Sequence, residues 1–375
     1  MSGAYIVDAV RTPRGRRNGG LANTHPIDLA AIPIKKLIER SRIEPRLIDE
    51  VIYGCVSQRG EQDNVIARGA VLAAGLPEEV AAYTVNRFCG SGLTAVNAAA
   101  HACMSGQEDL IIAGGVEHMT RVPMAIDFNM KGTSLERRYP ELPHQGISAE
   151  MIADRYQFSR RVLDEFAAES QKRAANAWEE DRFKRGIVPV GSFERDEHLR
   201  PTTTVETLAN LKPSFKPDGK IHAGNSSGIV DGAAAVLIAS KKGLEKTGLK
   251  PRARIIATAQ IGSDPVYMLL GIIPCTGKLL EKAELTLRQI DLYEVNEAFA
   301  PVPMAWLRDL KEEGASWDKL NVNGGAIALG HPIGATGAIL AGTVLDELER
   351  TDKRYGLVTL CTGLGMAVAA IIERL

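Results

Sequence analysis

Short apolar runs alternate along the chain with segments whose apolar residues recur at helical spacing. The runs "YIVDAV" (5–10), "EVIYGCV" (50–56) and "DLIIAGG" (109–115) are typical of strands. The segments 27–41 and 63–74 have the pattern of helices that bury one face. Strands separated by helices predict βαβ units and a parallel or mixed sheet with helices on its faces, which is an α/β fold.

Residues 118–222 interrupt this alternation. The block is rich in proline, glycine and charge, and it contains one long predicted helix, 159–185, opened by Ser159. The strand–helix pattern resumes at "SSGIVDGAAAVLIAS" (226–240). We therefore interpret the block as an insertion packed on the main body.

The second half of the chain repeats the first. Three pairs of segments match at offsets between 237 and 248: 46–55 with 288–297, 84–92 with 321–330, and 109–115 with 355–363. We expect two duplicated halves, 1–245 with the insertion and 246–375. Two such units could pack back to back, so that loops from both halves meet at one site.

Composition excludes several classes of protein. With 375 residues, 45% hydrophobic and 24% charged, the chain can bury a large core. Its net charge of −1 gives no overall field that would recruit nucleic acid or an anionic membrane. No apolar run approaches the roughly 18 residues of a membrane span, and the N-terminus enters a predicted strand at once, so we expect a cytoplasmic protein without a signal peptide.

The five cysteines are an odd number, widely spaced and without a CxxC pair. This argues against a disulfide framework and against a zinc site, and it suits a reducing compartment. We expect no metal and no permanently bound cofactor.

One of these cysteines, Cys89, stands where a strand ends and a helix begins, in "VNRFCGSGLTAV" (85–96). The unpaired N–H groups of a helix N-terminus favour an anion, so we expect the pKa of this thiol to be lowered and its thiolate to be nucleophilic. The flanking glycines would let a substrate approach. A lone cysteine is more often a small buried hydrophobic residue, and that alternative stays open.

Three further glycine-bracketed loops carry polar side chains. His331 lies in "NVNGGAIALGHPIGATGA" (321–338), where an imidazole could act as a general base or donate to an oxyanion. Cys361 follows an apolar strand and precedes Gly363. Asn296 leaves a strand and would either cap a helix containing Phe299 or orient a water. Together these residues fit nucleophilic catalysis with a separate acid or base.

The order and spacing of "NRFCGSG", "NEAFA", "NGGAIALGHPIGATG" and "CTGLG" resemble the thiolases over the whole chain. The segments "VRTPRG" and "AGNSSGIVDGAAA" also match, and the sequence looks most similar to degradative 3-ketoacyl-CoA thiolases. The resemblance implies a thiolase-like fold, in which two duplicated βα halves with mixed sheets pack in layers (αβαβα) and carry an inserted loop domain.

The same resemblance implies a separate catalytic role for each of these residues. Cys89 would carry the acyl group as a thioester, His331 would activate it, and Cys361 would exchange a proton at the α-carbon of acetyl-CoA. His331 and a water held by Asn296 would form one oxyanion hole. The backbone N–H groups of Cys89 and Gly363 would form the other.

The resemblance also implies that the inserted block binds coenzyme A, the co-substrate. Arg200 would lie near the nucleotide, Phe215 against the adenine, and Ser227 on the pantetheine arm. His144 stands in "HQG", where acetoacetyl-specific members have "HMG", so Gln145 is a departure that bears on acyl-chain selectivity. Arg200 could equally be a surface charge, and Phe215 a packing residue.

The expected reaction is thiolytic cleavage of a 3-ketoacyl-CoA to acetyl-CoA and a shortened acyl-CoA by a homodimer or homotetramer, with or without a hydratase–dehydrogenase partner. Three alternatives stay open. They are an acetoacetyl-CoA-forming biosynthetic thiolase, a condensing enzyme of the ketoacyl synthase type, and a non-catalytic acyl-CoA-binding protein. The synthases use two histidines, whereas here Cys361 occupies the second position.

Overall fold

The computed structural model describes residues 3–124 and 131–375. Within them the strands are Ala4–Arg11 (β1), Gly15–Arg16 (β2), Glu50–Gly54 (β3), Ala81–Val85 (β4), Leu110–His118 (β5), Val230–Ser240 (β6), Ala253–Gly262 (β7), Leu292–Val295 (β8), Tyr355–Thr362 (β9) and Met366–Arg374 (β10). The helices are Pro26–Ser41 (α1), Ile66–Ala73 (α2), Ser91–Ser105 (α3), Ser134–Arg138 (α4), Gln145–Arg155 (α5), Arg160–Glu179 (α6), Val205–Ala209 (α7), Lys241–Thr247 (α8), Ile272–Ala283 (α9), Pro301–Asp309 (α10), Ala326–Leu329 (α11) and Thr336–Arg350 (α12).

Two predicted helices have different bounds. The long helix opened by Ser159 ends at Glu179 instead of continuing to 185, because Asp181 adopts a left-handed conformation (φ 55°) and the chain turns back. The helix expected to contain Phe299 begins only at Pro301. Phe299 instead forms an isolated bridge with Ser226, which keeps this stretch out of the helix.

The two halves of the chain have the same strand order. The described strands form one sheet in the order β4-β3-β5-β6-β1-β7-β10-β9-β8, with β2 beside β6. The strands β1 and β7 form the central pair. Outward from this pair the first half has β6, β5 and β3, and the second half has β10, β9 and β8 in the corresponding positions. A parallel bridge between Tyr293 and Leu320 stands where β4 would have its counterpart. This topology agrees with the two similar βα halves of the expected fold class, and the bounds 1–245 and 246–375 stay a prediction.

The halves are joined edge to edge. In the antiparallel β1–β7 pair, Ala4 lies opposite Ile255 and Ile6 opposite Ala253. Each half of the sheet has one face that packs on the helices α3 and α12, which are equivalent in the two halves. These contacts form a single apolar cluster. The other face packs on α1 and α2 in the first half and on α9 and α10 in the second. The result is the five-layer αβαβα arrangement.

The central helices α3 and α12 approach closely because of Gly337. A Cβ at this position would lie 2.1 Å from the backbone nitrogen of Leu93. The N-termini of the two helices therefore come close to the same place, and Cys89 and His331 precede these two N-termini.

The inserted block lies between β5 and β6, and its described part includes α4 to α7. Part of the expected 118–222 segment, residues 125–130, lies outside the described residues. Although the block belongs to the first half in sequence, its helices α5 and α6 pack in the apolar cluster on the outer face of the second half. No helix among the residues described is long and apolar enough to cross a membrane.

The close approach of α3 and α12 predicts a large difference between two helical glycines. Gly337→Ala should lower the free energy of unfolding by about 1–3 kcal/mol, since the new methyl group overlaps the backbone of α3. Gly277→Ala in α9, where a Cβ meets nothing within 4 Å, should raise it by about 0.5–1 kcal/mol through helix propensity. Urea unfolding measures both. Equal stabilities for the two variants would contradict this packing.

Candidate active site

Cys89 lies in the turn between β4 and α3. Phe88 before it is left-handed (φ 46°), and Gly90 caps the helix. The thiol is buried in a small apolar cluster with Met119 and Ile333. Burial raises the pKa of Cys89 to about 12, so the expected lowering of this pKa is wrong: desolvation of the thiolate outweighs the helix N-terminus. The thiol is therefore protonated at neutral pH, and a base would be needed to form its thiolate.

His331 lies between α11 and α12 and is buried. Its Nδ1 lies 2.6 Å from the hydroxyl of Thr336, which itself donates to the carbonyl of Pro332. This pattern assigns the proton to Nδ1 and leaves the Nε2 lone pair unprotonated. Burial, helped by the positive charge of Arg14, lowers the pKa of His331 to about 3. The imidazole is therefore neutral and able to accept a proton from a thiol.

Asn296 follows β8 and faces this imidazole. Its Nδ2 lies 3.3 Å from Nε2 of His331, whereas Oδ1 is buried and accepts no hydrogen bond within the described part of the chain. The residue that caps α10 is Ala300, so Asn296 does not cap a helix. Its carbonyl oxygen is the kind of acceptor that could hold a water beside the imidazole.

Cys361 lies near the end of β9, and Gly363 lies in the hairpin turn that leads to β10. Burial raises the pKa of Cys361, and a charge on Cys89 raises it further. A Cβ on Gly90, directly after Cys89, would lie 2.9 Å from Cγ2 of Thr362, directly after Cys361. A Cβ on Gly363 would lie 3.5 Å from the Phe88 ring and 3.2 Å from Nε2 of Gln145. The structure thus brings Cys89, Cys361 and Gly363 together.

Glu117 is a residue of this region that sequence reasoning missed. Its buried carboxylate joins loops from both halves through four N–H donors: Val56 N at 2.9 Å, Ser57 N at 3.0 Å, Gln62 Nε2 at 3.1 Å and Gly334 N at 3.0 Å. Burial raises its pKa, and these hydrogen bonds oppose the rise. The signal in the sequence was a lone acid after the apolar run "DLIIAGGV", in a strand that proves buried throughout.

Arg14, in the "VRTPRG" segment, forms hydrogen bonds to two distant parts of the chain. Its Nη1 donates to the carbonyl of Gly330 at 2.9 Å, directly before His331, and its backbone N–H bonds Asp196 at 2.8 Å. The same carboxylate holds Arg11 through two hydrogen bonds of 2.7 and 2.9 Å. Arg14 thus ties the His331 loop to the inserted block and places a buried positive charge beside the imidazole.

The four residues expected to bind coenzyme A differ in their exposure to solvent and in their contacts. His144 is exposed, caps α5 and stacks on the half-buried Phe215 at 5.5 Å between ring centroids. Phe215 also packs edge-on against Phe299 at 5.9 Å, close to the Asn296 loop. The backbone N–H of Ser227 bonds the carbonyl of Ala298 at 3.0 Å, which brings Ser227 to the same loop. Arg200 is exposed, and its backbone N–H bonds Gln171.

Comparison with known families finds two matches that together span the chain. The family described as "Thiolase, N-terminal domain" matches residues 4–242, and "Thiolase, C-terminal domain" matches residues 249–374.

Similar proteins cover the whole chain. A beta-ketoadipyl-CoA thiolase of Acinetobacter baylyi is 45% identical over 403 residues, covering 100% of both chains. A steroid 3-ketoacyl-CoA thiolase of Mycobacterium tuberculosis is 44% identical and covers 100% of this chain and 95% of its own. Among solved structures, an acetyl-CoA acetyltransferase of Bacillus anthracis superposes with a TM-score of 0.91 at 37% identity, covering 100% of this chain and 99% of that one.

The neutral His331 predicts a pH dependence of stability. Its pKa is about 3 in the folded chain and about 6.5 when unfolded, so the unfolded state binds one more proton between these values. Stability is then lost as pH falls below about 6.5, by about 2 kcal/mol between pH 7 and pH 5. His331→Asn, which cannot titrate, should lose about 2 kcal/mol less over this interval.

Urea unfolding of both proteins at pH 7 and pH 5 measures this difference. His198→Asn is the matched control, because burial lowers the pKa of that histidine to about 4 and its removal should relieve the acid destabilisation in the same sense. If His331→Asn and the wild type lose the same free energy of unfolding, the imidazole is not held neutral by the fold.

Proposed function

The chain belongs to the thiolase family, and on this premise we propose that it is an acyl-CoA:acetyl-CoA C-acyltransferase. It cleaves a 3-ketoacyl-CoA with coenzyme A, giving acetyl-CoA and an acyl-CoA shortened by two carbons, and the chemistry is reversible. The family acts on coenzyme A thioesters, which supports coenzyme A as the co-substrate.

The observation that carries the proposal is a pair of buried thiols beside a neutral imidazole. Cys89 packs in one apolar cluster with Ile333, two residues from His331, and a charge on Cys89 raises the pKa of Cys361. His331 keeps an unprotonated Nε2 that meets Asn296. Cleaving the C2–C3 bond of a 3-ketoacyl-CoA needs a nucleophile at C3, a group that stabilises the enolate, and an acid for C2. Two thiols and one base supply these functions without a cofactor.

In the first half-reaction His331 removes the proton of Cys89, and the thiolate attacks C3 of the substrate. The C2–C3 bond then breaks, the acyl group stays on the sulfur as a thioester, and the electron pair of the bond goes to the enolate of acetyl-CoA. His331 is now an imidazolium, and its positive charge stabilises the negative charge of the enolate. Cys361 protonates C2 and is left as a thiolate.

In the second half-reaction Cys361 recovers its proton from the thiol of coenzyme A. The resulting thiolate attacks the acyl-enzyme, Cys89 leaves, and His331 returns the proton to it. The backbone N–H groups of Cys89 and Gly363 are the proposed donors to the thioester oxygen. Each preorganised donor of this kind is typically worth about 3–4 kcal/mol in the transition state.

Substrate binding is proposed between the inserted block and the loop of Asn296. Phe215, His144 and Ser227 border the Asn296 loop and would line the inner part of the coenzyme A site. Arg200, exposed on the surface of the block, would meet the nucleotide end. The position of Phe215 against Phe299 favours contact with the pantetheine arm over contact with the adenine.

The alternatives are less well supported. A ketoacyl synthase would need a second histidine where Cys361 stands, and a non-catalytic binding protein would not need two thiols beside a base. The biosynthetic direction uses the same residues in reverse order.

We also propose that the protein assembles as a homodimer or a dimer of dimers through β4. This strand lies at the edge of the sheet, and large apolar side chains near it are exposed: Tyr83 is 38%, Val65 47% and Leu72 49% accessible. An unpaired edge with apolar neighbours favours pairing with a second copy, and two-fold symmetry is the commonest closed arrangement.

We expect the serine variants of Cys89 and Cys361 to lose different steps of the reaction. Cys361→Ser should still form an acyl-enzyme on Cys89 when given an acyl-CoA, because coenzyme A can leave as a thiolate without the proton that Cys361 otherwise supplies. It should not exchange the α-protons of acetyl-CoA with deuterium, because a hydroxyl is a poor base at neutral pH. Cys89→Ser should lose acylation and thiolysis together.

Intact-protein mass spectrometry with peptide mapping locates the acyl group, and NMR follows the deuterium exchange. Cys103→Ser, a buried cysteine of α3, is the matched control and should behave as the wild type. An adduct on Cys361 would overturn the assignment of the nucleophile. Exchange by Cys361→Ser at the wild-type rate would make Cys361 a structural residue.

The assembly is tested by sedimentation velocity at micromolar concentration. We expect a dimer or tetramer, and Tyr83→Arg should shift the distribution towards monomer because it places a charge on the edge strand. Val162→Arg, at a 39% accessible apolar position on α6, should leave the assembly unchanged. A monomeric wild-type protein would contradict the proposed interface.

A further inference from the structure

The carboxylate of Glu117 is fully buried, and each of its oxygens accepts two hydrogen bonds. Oε1 accepts from the backbone N–H of Ser57 at 3.0 Å and from Nε2 of Gln62 at 3.1 Å. Oε2 accepts from the backbone N–H groups of Val56 at 2.9 Å and Gly334 at 3.0 Å. An ionised carboxylate offers about four acceptor sites and no donor. A proton on Glu117 would displace one of these donors, so the arrangement fits the ionised form.

Two of the walls around the Cys89 thiol are tied to this carboxylate. Val56 and Ile333 both pack in the apolar cluster of Cys89. Val56 donates its own N–H to Glu117, and Ile333 directly precedes Gly334, which donates to the same oxygen. One oxygen atom therefore joins the wall that comes from the first half of the chain to the wall that comes from the second.

The short loop that carries His331 is held at both of its ends. The backbone N–H of His331 donates to the carbonyl of Gly228 at 2.9 Å. Three residues later, the N–H of Gly334 donates to Glu117. Because only two residues separate His331 from Gly334, a shift of Gly334 would also move the imidazole. The hydrogen bond to Glu117 therefore constrains where the imidazole lies relative to Cys89.

The charge of Glu117 does not itself favour the nucleophile. Burial raises the pKa of Cys89, and the negative charge of Glu117 raises it further. A carboxylate in this place hinders formation of the thiolate, so its contribution to the reaction has to come from the hydrogen bonds that it accepts. A charged acceptor forms stronger hydrogen bonds than a neutral one, which suits a group that holds four donors in place.

We propose that Glu117 is a positioning residue, whose carboxylate joins the N–H of Gly334 to the N–H of Val56 and so fixes the imidazole of His331 relative to the Cys89 thiol. The inference rests on the proposed function, in which His331 takes the proton of Cys89 and later returns it. Both transfers require the same alignment, and a misplacement of about 1 Å can cost about a hundredfold in rate. Glu117 acts through the two loops and not on the substrate.

The test compares Glu117→Gln, which keeps the length of the side chain but has one acceptor oxygen, with Glu117→Asp, which keeps the charge but is one methylene shorter. Each variant loses part of the set of hydrogen bonds that joins the two loops. In steady-state thiolysis of a 3-ketoacyl-CoA we expect kcat to fall at least about tenfold in both variants. KM for coenzyme A should stay within about twofold, because Glu117 does not border the proposed coenzyme A site.

The second readout is the rate at which iodoacetamide alkylates Cys89 at neutral pH, with the adduct located by peptide mapping. Glu117→Gln removes a negative charge, so Cys89 should react faster than in the wild type. Glu117→Asp keeps the charge, and its rate should stay within about twofold of the wild type. Cys103 and Cys275, which are buried elsewhere, should remain unmodified. The thiol would then stay reactive while kcat is lost, as expected when base and thiol are misaligned.

Asp291→Asn is the matched control. The carboxylate of Asp291 also accepts from two backbone N–H groups, those of Arg354 at 3.0 Å and Tyr355 at 2.8 Å. It precedes β8, whereas Asn296 follows β8, so these hydrogen bonds lie at the opposite end of the strand from the candidate active site. This variant should keep the kcat of the wild type.

The outcomes separate this inference from the proposed function. A wild-type kcat in folded Glu117→Gln overturns the positioning role. A lower kcat accompanied by alkylation of Cys103 or Cys275 also overturns it, because the fold would then be loosened as a whole. If Glu117→Gln does not fold, Glu117→Asp decides by the same criteria. If the wild type does not thiolyse 3-ketoacyl-CoA, the proposed function fails and this inference fails with it, whereas an active wild type leaves the decision to the variants.

Discussion

The structure depends on a close approach of backbones at Gly334, where loops from the two halves of the chain meet. The carbonyl oxygen of Gly334 lies 2.1 Å from the point where a Cβ on Gly115 would stand, and 2.5 and 2.9 Å from the corresponding points on Gly54 and Gly92. Any side chain at these positions would push the loop of His331 away from the ends of the strands that frame Cys89. The glycines are therefore needed for close contact between halves, and in this set none of them has a positive φ.

This close contact has an electrostatic consequence. Because the two halves meet with so little space between them, Cys89, Cys361 and His331 are all removed from water, and desolvation dominates their protonation. The resting site is then a pair of protonated thiols and a neutral imidazole. In the proposed mechanism charge forms only when substrate is present, and the imidazolium of His331 and the proposed backbone donors are then already in position to offset it.

The sequence predicts the fold well because its strongest signals are local. The alternation of strands and helices and the repeat between halves survive in the structure, since each follows from hydrophobic pattern and turn residues. The loops of the candidate site could be named from the sequence for the same reason, because glycines flank Cys89 and His331. Contacts between distant segments produce no local pattern in the sequence. Glu117 was missed for this reason, because Val56, one of the residues that it bonds, lies 61 residues away along the chain. The pKa of Cys89 was predicted in the wrong direction because a sequence shows the helix end but not the depth of burial.

The central claim is that the resting nucleophile and base are both uncharged, and NMR of labelled histidine ring nitrogens tests it most directly. The chain has seven histidines, so His331→Asn assigns the resonance of His331. In the free enzyme its ring should show the neutral form protonated on Nδ1 and should not titrate between pH 8 and about pH 5, given a pKa of about 3. An imidazolium signal at pH 7 that disappears in Cys89→Ser would show a thiolate–imidazolium pair and contradict the account.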